Sequence, residues 1–463
     1  MSLKSILNDS SDSLVPGGYR EVLKIAIPLV LSTASLTLML FIDRLFLSWH
    51  SQSAVAASTP GGITYFTICS FFLGTAQYVN TLVAQYHGAG DKQSCAKAVW
   101  QGIWFSALSA PLILCMIPVG KAVLRWGGHG PELLELEEGF FTLLMLGGML
   151  LPLNAALSSF FSGRGQTNVV MWGNLLANAA NAVLDYVFIF GRCGIPELGI
   201  YGAGLATALT SGVPTIYWAA LFLSRRFAGT HGTRKAYGFD KPMFALLLRF
   251  GLPSGMQFFL DVGSFTVFVL LVGRLGEASL AATNIVLSIE MLSFLPMVGM
   301  SIATSMLVGA YLGEGSPYLA EKSVRSSMVL ALSYSSTLAL LYMIFPGVFI
   351  EMFRPEHDDQ FGAVLAQGIL ILRLVAIYTV FDTMFIVYNG ALRGAGDTKF
   401  TMRAQILLAW FFFIPPVYFM IEYLQWGLGI VWFWAVVYVV TLGLVFFYRF
   451  RSGYWKTIDM IKR

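Results

Sequence analysis

Long uninterrupted apolar runs dominate the pattern of hydrophobic and polar positions along this 463-residue chain. A helix of about 20 apolar residues crosses ~30 Å of hydrocarbon. Twelve runs, separated by polar clusters or Gly/Pro breaks, meet that length: residues 21–48, 61–86, 97–120, 140–162, 168–190, 201–223, 245–273, 281–311, 326–350, 365–390, 400–422 and 427–449. They are numbered spans 1 to 12 in chain order. A lipid-facing barrel would instead alternate apolar and polar residues over segments of about ten, which the continuous runs exclude. The pattern predicts an all-α polytopic membrane protein.

Composition agrees. Hydrophobic residues make up 57% of the chain and charged ones 12%, with a mean hydropathy of +0.71. Soluble domains carry about 25% charged residues, so this chain cannot cover a water-facing surface. That excludes a cytosolic enzyme, a nucleic-acid-binding module and a disordered chain. Of the four cysteines, Cys69 and Cys115 lie in apolar runs, Cys95 in a polar loop and Cys193 apart from them. That arrangement suggests neither a disulfide nor a metal site. The first twenty residues lack the apolar core of a signal peptide, so no cleaved leader is expected.

The net charge of +4 becomes informative once its placement is known. The two tails and the loops after even-numbered spans hold 22 of the 29 Lys and Arg residues. The opposite side has Arg44, Lys121, Arg125, Arg192, Arg274 and Arg354, and Arg373 lies within span 10. Short basic loops stay in the cytoplasm, so both termini are expected there, with the protein in a plasma (bacterial inner) membrane.

The polar segment AGTHGTRKAYGFDKP (228–242) divides two related halves. At a constant offset of 225, Ile27-Pro28 matches Leu252-Pro253, Val55-Ala56-Ala57-Ser58 matches Leu280-Ala281-Ala282-Thr283, and VAQYHGAG (83–90) matches VGAYLGEG (308–315). GRGQT (163–167) matches GAGDT (394–398) at 231. Six spans per half give both halves one orientation, the parallel-repeat arrangement found in transporters. The expected organisation is a cytoplasmic tail (1–20), a six-helix lobe (21–227), a cytoplasmic linker (228–244), a second six-helix lobe (245–450) and a cytoplasmic tail (451–463). Pro28 and Pro253 recur in the repeat and are the hinge candidates. Pro152, Pro214, Pro296 and Pro415-Pro416 also interrupt spans.

Ionisable side chains inside spans cost at least ~2.5–3.5 kcal/mol each on insertion scales. Asp43 and Arg44 lie in span 1, Asp185 in span 5, Asp261 in span 7, Glu290 in span 8, and Arg373 and Asp382 in span 10. The repeat-mates of the four aspartates are Phe268, Pro416, Leu36 and Leu151, so the acids are not part of the shared scaffold. Structural pairing with Arg44 or Arg373 is one explanation, for Glu290 in particular. Two cations cannot satisfy five acids, however, and the remainder must be protonated, bind a cation or face a watery cavity. Each outcome suits ion-coupled transport, by protons or by Na⁺ on hard oxygen ligands. Asn174, Asn178, Asn181 and Asp185 form one helical stripe, which faces the bundle interior either as a cavity lining or as interhelical hydrogen bonds. Tyr378, four residues before Asp382, shares its face. With 14% aromatic residues, a few could contact an aromatic cation.

The chain has no G-x-x-x-x-G-K-[ST] phosphate loop. Its five histidines (His50, His87, His129, His231 and His357) sit in loops or at span ends. Neither an enzyme nor a resident cofactor or metal is expected.

Twelve spans in two halves, with IDRLFL, GLPSGMQFFLD and FDTMFIVYNGALRGAGDT in these places, resemble the multidrug and toxic compound extrusion (MATE) family over nearly the whole chain. The segment FIFGRCGIPELGIYGAGLATALTS (188–211) is most similar to the NorM-type branch. The resemblance implies an antiporter that exports organic, often cationic and aromatic, compounds in exchange for Na⁺ or H⁺, by alternating access of two lobes. It also implies roles for particular residues. Asp43 stands at the family's span-1 aspartate, and Asp261 where the NorM type usually has glutamate. Asp382 and Tyr378 match span-10 cation-site residues. Asp185 resembles a span-5 aspartate of the DinF type, and Asn181 the asparagine before it. Asn174, Asn178 and Glu290 remain candidate cavity or substrate-facing groups. Arg44, Glu290 and Arg373 depart from the family pattern. The expected partners are small organic substrates and membrane lipid, with no nucleic acid, for a monomer. The alternative is a lipid-linked oligosaccharide flippase of the same superfamily, whose cleft should be basic rather than acidic.

Overall fold

A computed structural model describes residues 15–354 and 361–461; His357 lies outside them. Every element among these residues is helical. Eleven helices are long and apolar enough to cross a membrane. The twelfth place is filled by Thr167–Ile189, a 23-residue helix whose four asparagines and Asp185 depress its hydropathy below the rest.

Several helices start earlier than their apolar runs, spans 2 and 4 among them. Span 2 begins at Gln52, where Ser51 accepts a hydrogen bond from the Ala54 amide at 3.0 Å as an N-cap. Span 4 begins at Pro131, a good first-turn residue. In both, polar first turns extend the helix beyond its lipid-matched part. Cys95, expected in a loop, lies buried in the helix Lys92–Cys115. All four cysteines are free thiols.

Prolines sort into two groups. Span 4 breaks between Gly148 and Leu151 just before Pro152, and span 6 breaks at Ser211 before Pro214. In span 11 the residues Ile406–Phe413 widen into a π-helix ahead of Pro415-Pro416. A proline has no N–H and its ring displaces an upstream carbonyl, so the preceding turn must rearrange. Pro28, Pro253 and Pro296 instead sit inside uninterrupted helices, Tyr19–His50, Lys241–Gly273 and Glu277–Glu314.

Contacts group the chain into two compact units. One comprises Ile27–Phe259 with Gly309–Gly315; the other comprises the described parts of Ser10–Ala26, Leu260–Val308 and Ser316–Arg463. The helices of spans 1, 7 and 8 thus contribute residues to both units, and the change in span 1 falls next to Pro28. The repeat is visible inside each unit. A methyl group on Gly163 would lie 2.7 Å from the Asn80 carbonyl oxygen, and one on its repeat-mate Gly394 would lie 2.4 Å from that of Ser305. Spans 2 and 4 therefore approach backbone to backbone in the first unit as spans 8 and 10 do in the second, and a side chain at either glycine would prevent it.

The linker is held down. After the short helix Arg225–His231, Gly232 turns the chain at φ +68°. Trp100 then donates to the Thr233 carbonyl at 2.7 Å, Gln101 to that of Gly238 at 3.2 Å and Trp104 to that of Tyr237 at 3.0 Å. One face of span 3 thus satisfies the linker's backbone carbonyls.

Candidate functional site

In the first unit, spans 1 and 5 meet along a polar seam. Asn174 donates to Ser32, and Asn178 donates to Ser35 at 2.8 Å. For these two residues the interhelical hydrogen-bond explanation holds. One turn further along, Asn181 and Asp185 are fully buried beside Asp43. With its amide nitrogen facing the acids, the orientation that sets a donor against two acceptors, Asn181 lies 3.0 Å from Asp43 Oδ1 and 3.2 Å from Asp185 Oδ2. The two carboxyl groups are also in hydrogen-bond contact with each other. Carboxylates offer only acceptors when ionised, so this contact needs a proton or a cation between them. Asp185 Oδ1 is buried and receives no N–H or hydroxyl donor.

In the second unit, acids from three spans come within electrostatic range of one another. Asp261 Oδ1 accepts from Gln405 Nε2 at 2.9 Å, and the same nitrogen donates to the Tyr438 hydroxyl at 3.1 Å. Gln405 is fully buried at the turn where span 11 enters its π-helix, a kind of distortion that often re-aims side chains at functional sites. The Tyr378 hydroxyl donates to Glu290, so the tyrosine expected to accompany Asp382 has its hydrogen bond to span 8. Asp382 lies near both Glu290 and Asp261.

None of these five acids is ion-paired among the described residues. Arg44 and Arg373 are exposed, and pairing with them does not account for Glu290 or for any other span acid. Sequence reasoning missed Gln405, Tyr438, Ser32 and Ser35. A signal existed for one of them: Ser32 precedes Asp43 by eleven residues, the spacing that also separates Asn174 from Asp185, and so shares its helical face. Gln405 and Tyr438 carried no such mark.

The model of the family described as MatE matches residues 28–187 and 253–419. The chain belongs to the MatE family. Proteins named "Probable multidrug resistance protein NorM" are similar along most of its length. The one from Pseudomonas putida is 31% identical over 410 residues, covering 86% of this chain and 87% of that protein. The one from Thermotoga maritima is 25% identical over 457 residues, covering 97% and 96%. Among solved structures, an outward-facing conformation of a multidrug resistance MATE family transporter of the MOP superfamily superposes with a TM-score of 0.85. It is 21% identical and covers 95% of this chain and 97% of that one. The chain is accordingly a NorM-type MATE transporter with the twelve-helix fold, integral to a membrane, and not an enzyme.

Proposed function

We propose that this MATE transporter is an ion-coupled antiporter that exports organic, often cationic and aromatic, compounds, with Asp43 and Asp185 as the coupling groups of the first unit and Asp261, Asp382, Glu290 and Tyr378 as those of the second. The observation that carries this reading is the Asp43–Asn181–Asp185 cluster: a half-buried and a fully buried carboxyl in contact, neither of them ion-paired among the described residues. Such a pair changes its charge whenever it takes up or releases an ion, and the names of the NorM relatives support drugs as the cargo. Asn181 meets the two acids as a donor with its amide nitrogen toward them and as a cation ligand with its oxygen toward them, so the first unit suits a proton or Na⁺. The second unit, with three acids and the Tyr378 hydroxyl, suits either ion. A cation or a proton held in one orientation of the halves and released in the other drives substrate out by differential affinity, with Pro28 and Pro253 as the hinges. Five unpaired acids disfavour a pyrophosphate-bearing flippase cargo.

The test is ethidium transport in proteoliposomes under separately imposed Na⁺ and pH gradients. The gradient that drives transport identifies the coupling ion, and Asp43→Asn or Asp382→Asn is expected to abolish transport while the protein still folds. Undiminished transport in both variants would remove the coupling role.

A further inference from the structure

The linker ahead of span 7 lies at an edge of the hydrocarbon, and span 3 fixes the level. Trp104, Leu108 and Leu112 are exposed at i, i+4 and i+8 of the helix Lys92–Cys115, one lipid-facing stripe. Trp126, 87% exposed, ends the helix that follows, Ile117–Trp126. It comes twenty-two residues after Trp104, or about 33 Å of helix. That spacing matches ~30 Å of hydrocarbon, and tryptophan favours its two edges. Trp104, which donates to the Tyr237 carbonyl, therefore marks one edge. Trp100 lies one turn, about 6 Å, further toward water, and it holds the carbonyl of Thr233, the residue before Arg234. The headgroup layer is about 5–7 Å thick on each side, so Tyr237 stands at its floor and Arg234 within it.

The side chains presented there have no use within the fold. Tyr237 is 61% exposed and Phe239 55%. Arg234 is exposed but pinned, its Nε donating to the Leu223 carbonyl at the end of span 6 at 2.7 Å. Its two terminal nitrogens have no partner among the described residues, and exposed Lys235 has none either. Asp240, the one acid of the linker, is 3.8 Å from Lys97. With Arg225, Arg226 and Lys241, five basic residues fall between 225 and 241, the kind of cluster beside a span that attracts anionic lipid. Charge that served topology alone would need neither a fixed backbone nor aromatic neighbours. The tryptophans are not shared scaffold, because their repeat-mates at an offset of 225 are Arg325 and Val329.

We propose that the linker and span 3 form a binding site for one anionic phospholipid. Arg234 and Lys235 take the headgroup phosphate, Tyr237 and Trp104 stand at the level of the ester groups, and the acyl chains follow Leu108 and Leu112 along span 3. A guanidinium with its terminal nitrogens free suits the paired oxygens of a phosphate. The basic loops lead us to expect the cytoplasm on this side, where the leaflet carries anionic lipid. The inference is independent of the coupling ion and of the transported compound.

The experiment is native mass spectrometry of the delipidated full chain in detergent, titrated with phosphatidylglycerol or with phosphatidylethanolamine of the same acyl chains. Each basic residue near an anionic headgroup is worth roughly fivefold in affinity. Arg234→Gln with Lys235→Gln should therefore weaken the first phosphatidylglycerol bound by at least tenfold and leave phosphatidylethanolamine unchanged. Lys235→Gln alone breaks no hydrogen bond of the fold and should cost about fivefold. The control is Lys399→Gln with Arg403→Gln, which removes the same charge from exposed positions at the start of span 11 and should bind as wild type does. Unchanged phosphatidylglycerol affinity in the Arg234 and Lys235 variants would overturn the proposal. An equal loss in the control would also overturn it, since the attraction would then be diffuse. Displacement of the lipid by inorganic phosphate would mark a site for soluble anions and overturn the lipid assignment.

Discussion

Gly88 and Gly313 are repeat-mates at an offset of 225, as are Gln85 and Ala310. A methyl group on Gly88 would lie 1.9 Å from the Ala310 carbonyl oxygen, and one on Gly313 would lie 2.0 Å from that of Gln85. Both contacts belong to the unit that contains Gly309–Gly315, and each glycine meets the main chain of the other's helix. No side-chain rotation can relieve such a clash, because the obstacle is helical backbone. The crossing must open by about an ångström. Overpacking costs typically 1–3 kcal/mol, and a rigid obstacle puts Gly88→Ala and Gly313→Ala at the upper end, about 3 kcal/mol each. One displacement relieves both clashes, so the double variant should cost less than the sum.

For a chain of this length about 1 kcal/mol corresponds to roughly 1 °C of thermal midpoint. Each variant should therefore lower the midpoint of the purified protein by about 3 °C. Gly62 is the control, since a methyl group there would meet nothing within 4 Å. Its alanine variant should be neutral or slightly stabilising, as alanine is the better helix former by about 1 kcal/mol. A Gly88→Ala midpoint indistinguishable from that of Gly62→Ala would refute the backbone-crossing argument.

Other consequences are separately measurable. The Arg164 guanidinium is 3.4 Å from His231 Nε2, and His231 Nδ1 is 2.8 Å from the Thr230 hydroxyl. Burial first, and then the Arg164 charge, push the His231 imidazole down to about 4 from its ordinary 6.5. A depressed histidine contributes stability that is present above its unfolded pKa and lost as pH falls through its folded one. The midpoint should thus decline between pH 6.5 and 4 in wild type, and His231→Gln should flatten that decline; a parallel decline in the variant would contradict it. Gln405→Leu leaves Asp261 without its amide donor and should cost about 1–3 kcal/mol, together with altered pH dependence of transport. A wild-type transport profile would separate Gln405 from the site. Asp397 accepts two hydrogen bonds from Arg449, at 2.7 and 3.2 Å, tying the span 10–11 turn to the end of span 12. Asp397 is 6% exposed and Arg449 24%, so Arg449→Met should lower stability by about 2–3 kcal/mol, somewhat less than breaking a fully buried pair. Midpoint measurements on Arg449→Met and on the double variant with Asp397→Leu distinguish pairing from packing.

The twelve helices were legible because lipid imposes one rule: apolar for about 20 residues, with every backbone group paired inside the helix. Hydropathy reports immersion in lipid rather than the end of a helix, which is why the starts at Gln52 and Pro131 escaped it. The acids were legible for the same reason, since a charge in an apolar run stands out. Their partners were not. Gln405 looks like any polar residue at a span boundary, and its contact with Asp261 arises from a helix 144 residues away in sequence.

The seam of spans 1 and 5 shows where local pattern does reach tertiary structure. Ser32 and Asp43 on one helix, and Asn174 and Asp185 on the other, share a spacing of eleven residues, three turns of an α-helix. Two equal polar ladders in an otherwise apolar chain can satisfy one another only by lying side by side, since lipid offers neither of them a partner. The hydrogen bonds Asn174–Ser32 and Asn178–Ser35 are that outcome, and they set the register that brings Asn181 to both aspartates. The structural hydrogen bonds and the acid pair are therefore consecutive rungs of one ladder. Substituting Asn178 by leucine should weaken the alignment of Asp43 with Asp185 without touching either acid, and the infrared carboxyl band that Asp43→Asn and Asp185→Asn remove should shift in position rather than disappear; an unshifted band would break the link between the hydrogen-bonded rungs and the acid pair.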